Sequence, residues 1–124
     1  MEAAVVVSTD GEALHWHTPP GRTSVALPDR RDLWDVLWEH RGCLAGVAHS
    51  HPGTGVPCPS QEDVTTFAAI EAALGRRLTW WITSRDHLIA LRWVGPDQHR
   101  YGWWEVQDPA ESSRWLDQLR QLSY

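Results

Sequence analysis

One stretch of this 124-residue chain gathers residue types that do chemistry: His49-Ser50-His51-Pro52, seven further residues, then Ser60-Gln61-Glu62-Asp63. On a strand, residues two apart point to the same face, so the imidazoles of His49 and His51 aim at one point. Two neutral imidazoles and a carboxylate make a zinc ligand set that leaves one tetrahedral position open, which is what separates a catalytic zinc site from a structural one. Asp63 is placed to be that carboxylate, in the first turn of a helix reached through a loop rich in Pro and Gly. Each half of the pattern also has a plainer meaning. An HxH pair is more often strand decoration than a metal site, and Ser60-x-x-Asp63 is also a capping box, in which the Ser accepts from the helix amides and the acid reaches back. Taken together, with Gly46 at the entry of the strand and Pro52 at its exit, the two halves favour the metal reading.

The elements that must hold these residues are legible from pattern. Ala4 to Ser8 is short, apolar and β-branched, suiting a buried strand, and Thr9-Asp10-Gly11 turns the chain into a returning strand, Glu12 to Thr18. A further strand is expected at Thr23 to Leu27. Pro28-Asp29 opens a helix with Leu33, Trp34, Leu37 and Trp38 at helical spacing and Gly42 as its expected C-terminal cap. Cys43 to Ala48 reads as a buried strand running into His49. Ser60 starts a helix with Val64, Phe67, Ala68 and Leu74 on one side and Gly75 at its end. Leu78 to Thr83, Leu88 to Val94 and Tyr101 to Val106 read as strands, and Pro109 to Leu122 as a terminal helix with Trp115, Leu116, Leu119 and Leu122 inward. Intermingled strands and helices give an α/β or α+β class with a central mixed sheet.

The motif resembles the JAMM motif of the JAB/MPN metalloproteases: His49-Ser50-His51-Pro52, the seven-residue gap and Ser60-x-x-Asp63 match it without gap or mismatch. The order of helix, strand and HSHP, and Pro59-Ser60-Gln61-Glu62-Asp63 before an apolar helix, are similar to prokaryotic members. The likeness runs to about Val94 and is only architectural beyond. It implies one MPN/JAB domain over residues 1–124, an α/β (α+β) fold with a mixed sheet flanked by helices, and a cytidine-deaminase-like architecture. It also implies that His49, His51 and Asp63 bind Zn²⁺, that Ser60 helps stabilise the tetrahedral intermediate, and that an upstream Glu is the general base.

Glu2, 47 residues before His49 and directly ahead of Ala3-Ala4-Val5-Val6-Val7, fits that base in spacing and context, although Val5 stands where the family pattern has Gly. Glu12 is the competitor, with a solvent-facing hairpin position as its plain reading, and Glu39 sits on a helix too near His49. The activity implied is hydrolysis of the amide after the C-terminal glycine of a ubiquitin-like protein, in a setting with activating and conjugating enzymes of the ubiquitin type. Trimming of a sulfur-carrier protein is the alternative within the enzyme class, and a non-catalytic MPN scaffold the alternative outside it. Family members carry a helix before the base, so a partner protein or a second copy forming a homodimer is expected over that face.

Weaker candidates have plain readings. His15-Trp16-His17 lacks a downstream acid at sensible spacing and reads as exposed strand residues. Pro57-Cys58 supplies only one of the two thiols that a zinc deaminase would need. Trp80-Trp81 and Trp103-Trp104 each place rings on opposite faces of a strand, one expected in the core and the other exposed or under the terminal helix. Sixteen acids against 11 Arg leave a net charge of −5, and with no basic cluster nucleic acid is excluded as the main partner. The longest apolar run, Ala3 to Val7, is far below the roughly 20 residues of a membrane helix, and no export signal opens the chain, so a cytoplasmic location is expected. Lys and Asn are both missing; codon bias in a GC-rich genome accounts for the two together.

Overall fold

The apolar run near the start of the chain becomes an inner strand of a six-stranded sheet. The computed structural model describes residues 2–18, 31–107 and 113–124. The expected strand Thr23 to Leu27, the Pro28-Asp29 helix start and the beginning of the terminal helix lie outside them. In chain order the elements are β1 (Ala4–Ser8), β2 (Ala13–His17), α1 (Arg31–Glu39), β3 (Leu44–Ser50), α2 (Gln61–Leu74), β4 (Thr79–Thr83), β5 (Leu88–Trp93), β6 (Tyr101–Glu105) and α3 (Ser113–Ser123). The sheet runs β2-β1-β3-β4-β5-β6. Only β3 and β4, joined through α2, are parallel; every other neighbouring pair is antiparallel. This is the mixed α+β sheet that the pattern predicts.

β1 is apolar at nearly every position because both of its faces are covered. Ala4 and Val6 join Leu33 and Leu37 of α1 and Phe67 and Ile70 of α2 on one face. Ala3, Val5 and Val7 join Trp115, Leu116 and Leu119 of α3 on the other. Helices on both faces therefore shield the inner strands, among them the one that carries His49. At Gly46 a Cβ would fall 1.6 Å from the carbonyl oxygen of Thr79, so the close approach of β3 and β4 requires glycine there.

Several local expectations are corrected. Trp38 is exposed, with the Arg41 guanidinium 4.0 Å over its ring, because α1 buries only Leu33 and Leu37 and leaves Trp34 at the margin. Gly42 does not have the positive φ of a left-handed cap, whereas Gly75 does, at 70° after α2. The inner stripe of α2 is Asp63, Phe67, Ile70 and Glu71, with a carboxylate at each end, rather than a purely apolar face. His17 is buried: its register partner Ala4 lies on the covered face of β1, and Asp32 of α1 lies 3.9 Å away. Trp80 is core and stacks on Phe67 at 4.3 Å, and Trp81 meets Trp115 under α3, but Trp103 and Trp104 both lie in the open on β6.

Candidate metal centre

The centre is assembled by strand register and by a helix cap. Ala4 pairs with His49, and the Ser50 amide donates to the Ala3 carbonyl at 3.1 Å. One step further along this antiparallel ladder, Glu2 lies across from His51. Side chains two apart share a face, so Glu2, His49 and His51 all project toward α2. From α2 comes Asp63, whose position is fixed by Ser60: the Ser60 hydroxyl accepts from the Asp63 amide at 3.0 Å, and Asp63 Oδ2 accepts from the Ser60 amide at 3.0 Å. The capping box and the candidate ligand position are thus the same structure, and the cap aims the carboxylate.

The Nε2 atoms of His49 and His51 are 3.1 Å apart, and Asp63 Oδ2 lies 3.3 Å from the first and 2.9 Å from the second. Bonds of about 2.0–2.1 Å in a tetrahedron give ligand-to-ligand edges of about 3.3 Å, so these three atoms, 2.9 to 3.3 Å apart, could hold a metal ion after a small outward adjustment. Glu2 Oε1 stands further back, 4.0 Å from each Nε2. A cation at the point of convergence satisfies the two imidazole nitrogens and the carboxylate at once. Among the described residues, this is the one group of His, Cys, Asp and Glu with such convergence.

Burial sets the electrostatics. Glu2, His49 and Asp63 are shut off from solvent, and His51, 17 % exposed, is the window. Desolvation pushes Glu2 up to about 7, partly opposed by the charge of His51. Burial lowers the pKa of His49, keeping the imidazole neutral as metal binding requires. Burial also acts to raise Asp63, but hydrogen bonds from His49 and His51 outweigh it and hold the carboxyl well below its ordinary range. The second ring nitrogen of His49 has no hydrogen-bond partner among the described residues; the ring is seated against Phe67, 6.1 Å between centroids.

Three supports were not visible in the sequence. Ser50, between the two histidines, points to the other face, where its Oγ accepts from the Ala3 amide at 3.0 Å and from the Ser123 hydroxyl of α3 at 2.6 Å. The Tyr124 hydroxyl donates to the His51 carbonyl. The loop between His51 and Ser60 is tied to the β4–β5 turn: the Gly55 amide donates to Asp86 at 2.8 Å and Ser84 donates to the Gly55 carbonyl at 2.6 Å. None of these is close in sequence to its partner, so no local pattern announces it. Glu12, at the far end of β1, is exposed and paired with Arg114, as a hairpin residue should be. Glu39 is exposed at the end of α1, and Cys43 and Cys58 are exposed free thiols.

None of the described helices is long and apolar enough to cross a membrane. Among curated proteins no significant match is found. The family of prokaryotic homologs of the JAB domain, a family with metallopeptidase members and non-catalytic ones, matches residues 2–94. That span contains Glu2, both histidines, Ser60 and Asp63. With the mixed sheet and the ligand group in place, the chain belongs to the prokaryotic JAB-domain homologs.

Proposed function

We propose that the protein is a zinc-dependent peptidase or isopeptidase that hydrolyses the amide bond after the C-terminal glycine of a ubiquitin-like protein. The observation that carries this reading is the tetrahedral spacing of His49, His51 and Asp63, with the carboxylate of Glu2 buried 4.0 Å behind both imidazoles. His49, His51 and Asp63 would hold Zn²⁺, which when bound would supply Lewis acidity and activate water as the nucleophile. Glu2, itself held near 7, is matched to take a proton from the attacking water and return it to the leaving amine. The Ser60 oxygen already accepts from the Asp63 amide, so its own hydrogen is available to donate to the developing oxyanion. Access only beside His51 suits an extended tail of small residues, and family membership supports the ubiquitin-like class; sulfur-carrier fusions are the nearest alternative substrates.

The test is zinc content and cleavage of ubiquitin-like and sulfur-carrier fusions by the wild type, Glu2→Ala, Glu12→Ala and His49→Ala. Stoichiometric zinc, with cleavage lost in Glu2→Ala and kept in Glu12→Ala, is the expected result. Zinc without cleavage of any fusion overturns the substrate and favours the scaffold reading, and loss confined to Glu12→Ala overturns the base.

A further inference from the structure

β6 is an edge of the sheet, and its hydrogen-bond phase is fixed at both ends. The Val106 amide donates to the Leu88 carbonyl and the Val94 amide to the Arg100 carbonyl, each at 2.9 Å. In an antiparallel ladder, bonded pairs recur every second residue. Gly102 and Trp104 therefore bond to Arg92 and Ala90, their register partners on β5. The N–H and C=O groups of Tyr101, Trp103 and Glu105 point the other way, and no backbone hydrogen bond among the described residues reaches them. Proteins usually guard such an edge with Lys, Pro or a short, twisted strand. Here the sequence is Tyr-Gly-Trp-Trp-Glu, with Trp103 55 % and Trp104 49 % exposed on opposite faces, beside Val94 at 58 %.

We infer that β6 is a self-association edge, pairing antiparallel with β6 of a second copy about a twofold axis at Trp103. The outward phase permits this register: Trp103 pairs with Trp103 of the second copy and Tyr101 with Glu105 of the second copy, for about six new hydrogen bonds. The side chains agree with it. Gly102 falls opposite Trp104 of the other copy, so the large ring meets a position with no side chain. That ring also meets Val94, whose Cγ1 would lie 3.0 Å from a Cβ at Gly102 and which therefore shares the face. On the opposite face the two Trp103 rings are neighbours across the axis. No like charges are brought face to face, since Glu105 stands opposite Tyr101. Two half-exposed tryptophans and one valine per copy make a small interface, below the roughly 1,200 Å² of a stable complex, so the dimer depends on concentration. β6 lies three strands from β3, about 14 Å at ordinary strand spacing, so both metal centres stay open.

Sedimentation velocity on the full chain over a micromolar to submillimolar range tests this. Wild type is expected to move from the 14.1 kDa monomer to twice that mass. In Trp103→Pro, the amide removed is one that faces outward, so the β5–β6 ladder survives while association weakens about a hundredfold or more. Trp104→Lys, which keeps every backbone hydrogen bond, is expected to weaken association as well, and it provides the readout if proline disturbs the strand. A wild type that stays monomeric throughout overturns the inference, as does a dimer that persists unchanged in both variants.

Discussion

Asp63 Oδ2 accepts from the Ser60 amide and from His51 while lying 3.3 Å from His49, so one oxygen belongs both to a helix cap and to the candidate metal centre. His49→Ala and Asp63→Asn are therefore expected to lower zinc occupancy sharply in metal analysis. Glu2→Gln, set back from the ligands, is expected to keep the metal and lose about 10²–10⁴ in kcat. Ser60→Ala is expected to cost about 1 kcal/mol of stability through the lost cap, read as a lower Tm, in addition to its effect on turnover. The pH dependence of the metal-free protein follows from Glu2, whose pKa rises from 4.5 to about 7 on burial. A carboxyl with a raised pKa favours the folded state while protonated; its stabilisation is full below about 4.5 and is lost as pH rises through about 7. The Tm of metal-free wild type is expected to fall by several degrees relative to Glu2→Gln across that window, and zinc is expected to flatten the difference. At this scale the sequence is most legible: HxH and SxxD obey local periodicities. Glu2 is legible only through spacing and a resemblance, because its place depends on a register set between strands 47 residues apart.

Glu71 shows what elements add that patterns conceal. It lies among apolar positions of α2, yet it is buried and accepts from the Leu78 amide at 2.8 Å, Trp80 Nε1 at 3.0 Å, Arg77 at 3.0 Å and the Tyr101 hydroxyl. One carboxylate thereby joins α2 to β4 and β6 on the face that carries the metal centre. Glu71→Gln turns an acceptor oxygen into a donor facing other donors. It is expected to cost about 3 kcal/mol, a Tm drop on the order of 10 °C for a domain of this size by thermal denaturation. Periodicity gives the described strands to within one or two residues, most directly for β1, β3 and β5, whose residues are largely buried. It misplaces Trp38 and the β6 tryptophans because ring size says nothing about whether another element lies above.

Across the whole molecule, the family match stops at Val94 while the second core does not. α3 lies beyond that limit, and Trp115, Leu116 and Leu119 cover Ala3, Val5 and Val7 on the face of the sheet away from the ligands. Ser123 and Tyr124 then reach Ser50 and the His51 carbonyl. A chain ending after β6 is expected to expose that face and be recovered as aggregate, checked by the soluble fraction on expression and by light scattering. The three-layer arrangement is partly legible: the inward face of α3 reads directly from its spacing, but what it would cover does not. That depends on β1 lying inside the sheet, between β2 and β3.

The lone parallel pairing in the sheet, β3 with β4, also fixes where the candidate site lies. Because β3 and β4 run parallel, the segments that follow them leave at the same end of the sheet. His49 and His51 sit at that end, and Ser60 begins the crossing helix. The Thr9–Gly11 turn lies at the opposite end of the strands, the Ser84–His87 turn at the same end as the histidines. The connectivity thus sorts the described loops into those free to drift in length and those held to the candidate site, before any side chain is considered.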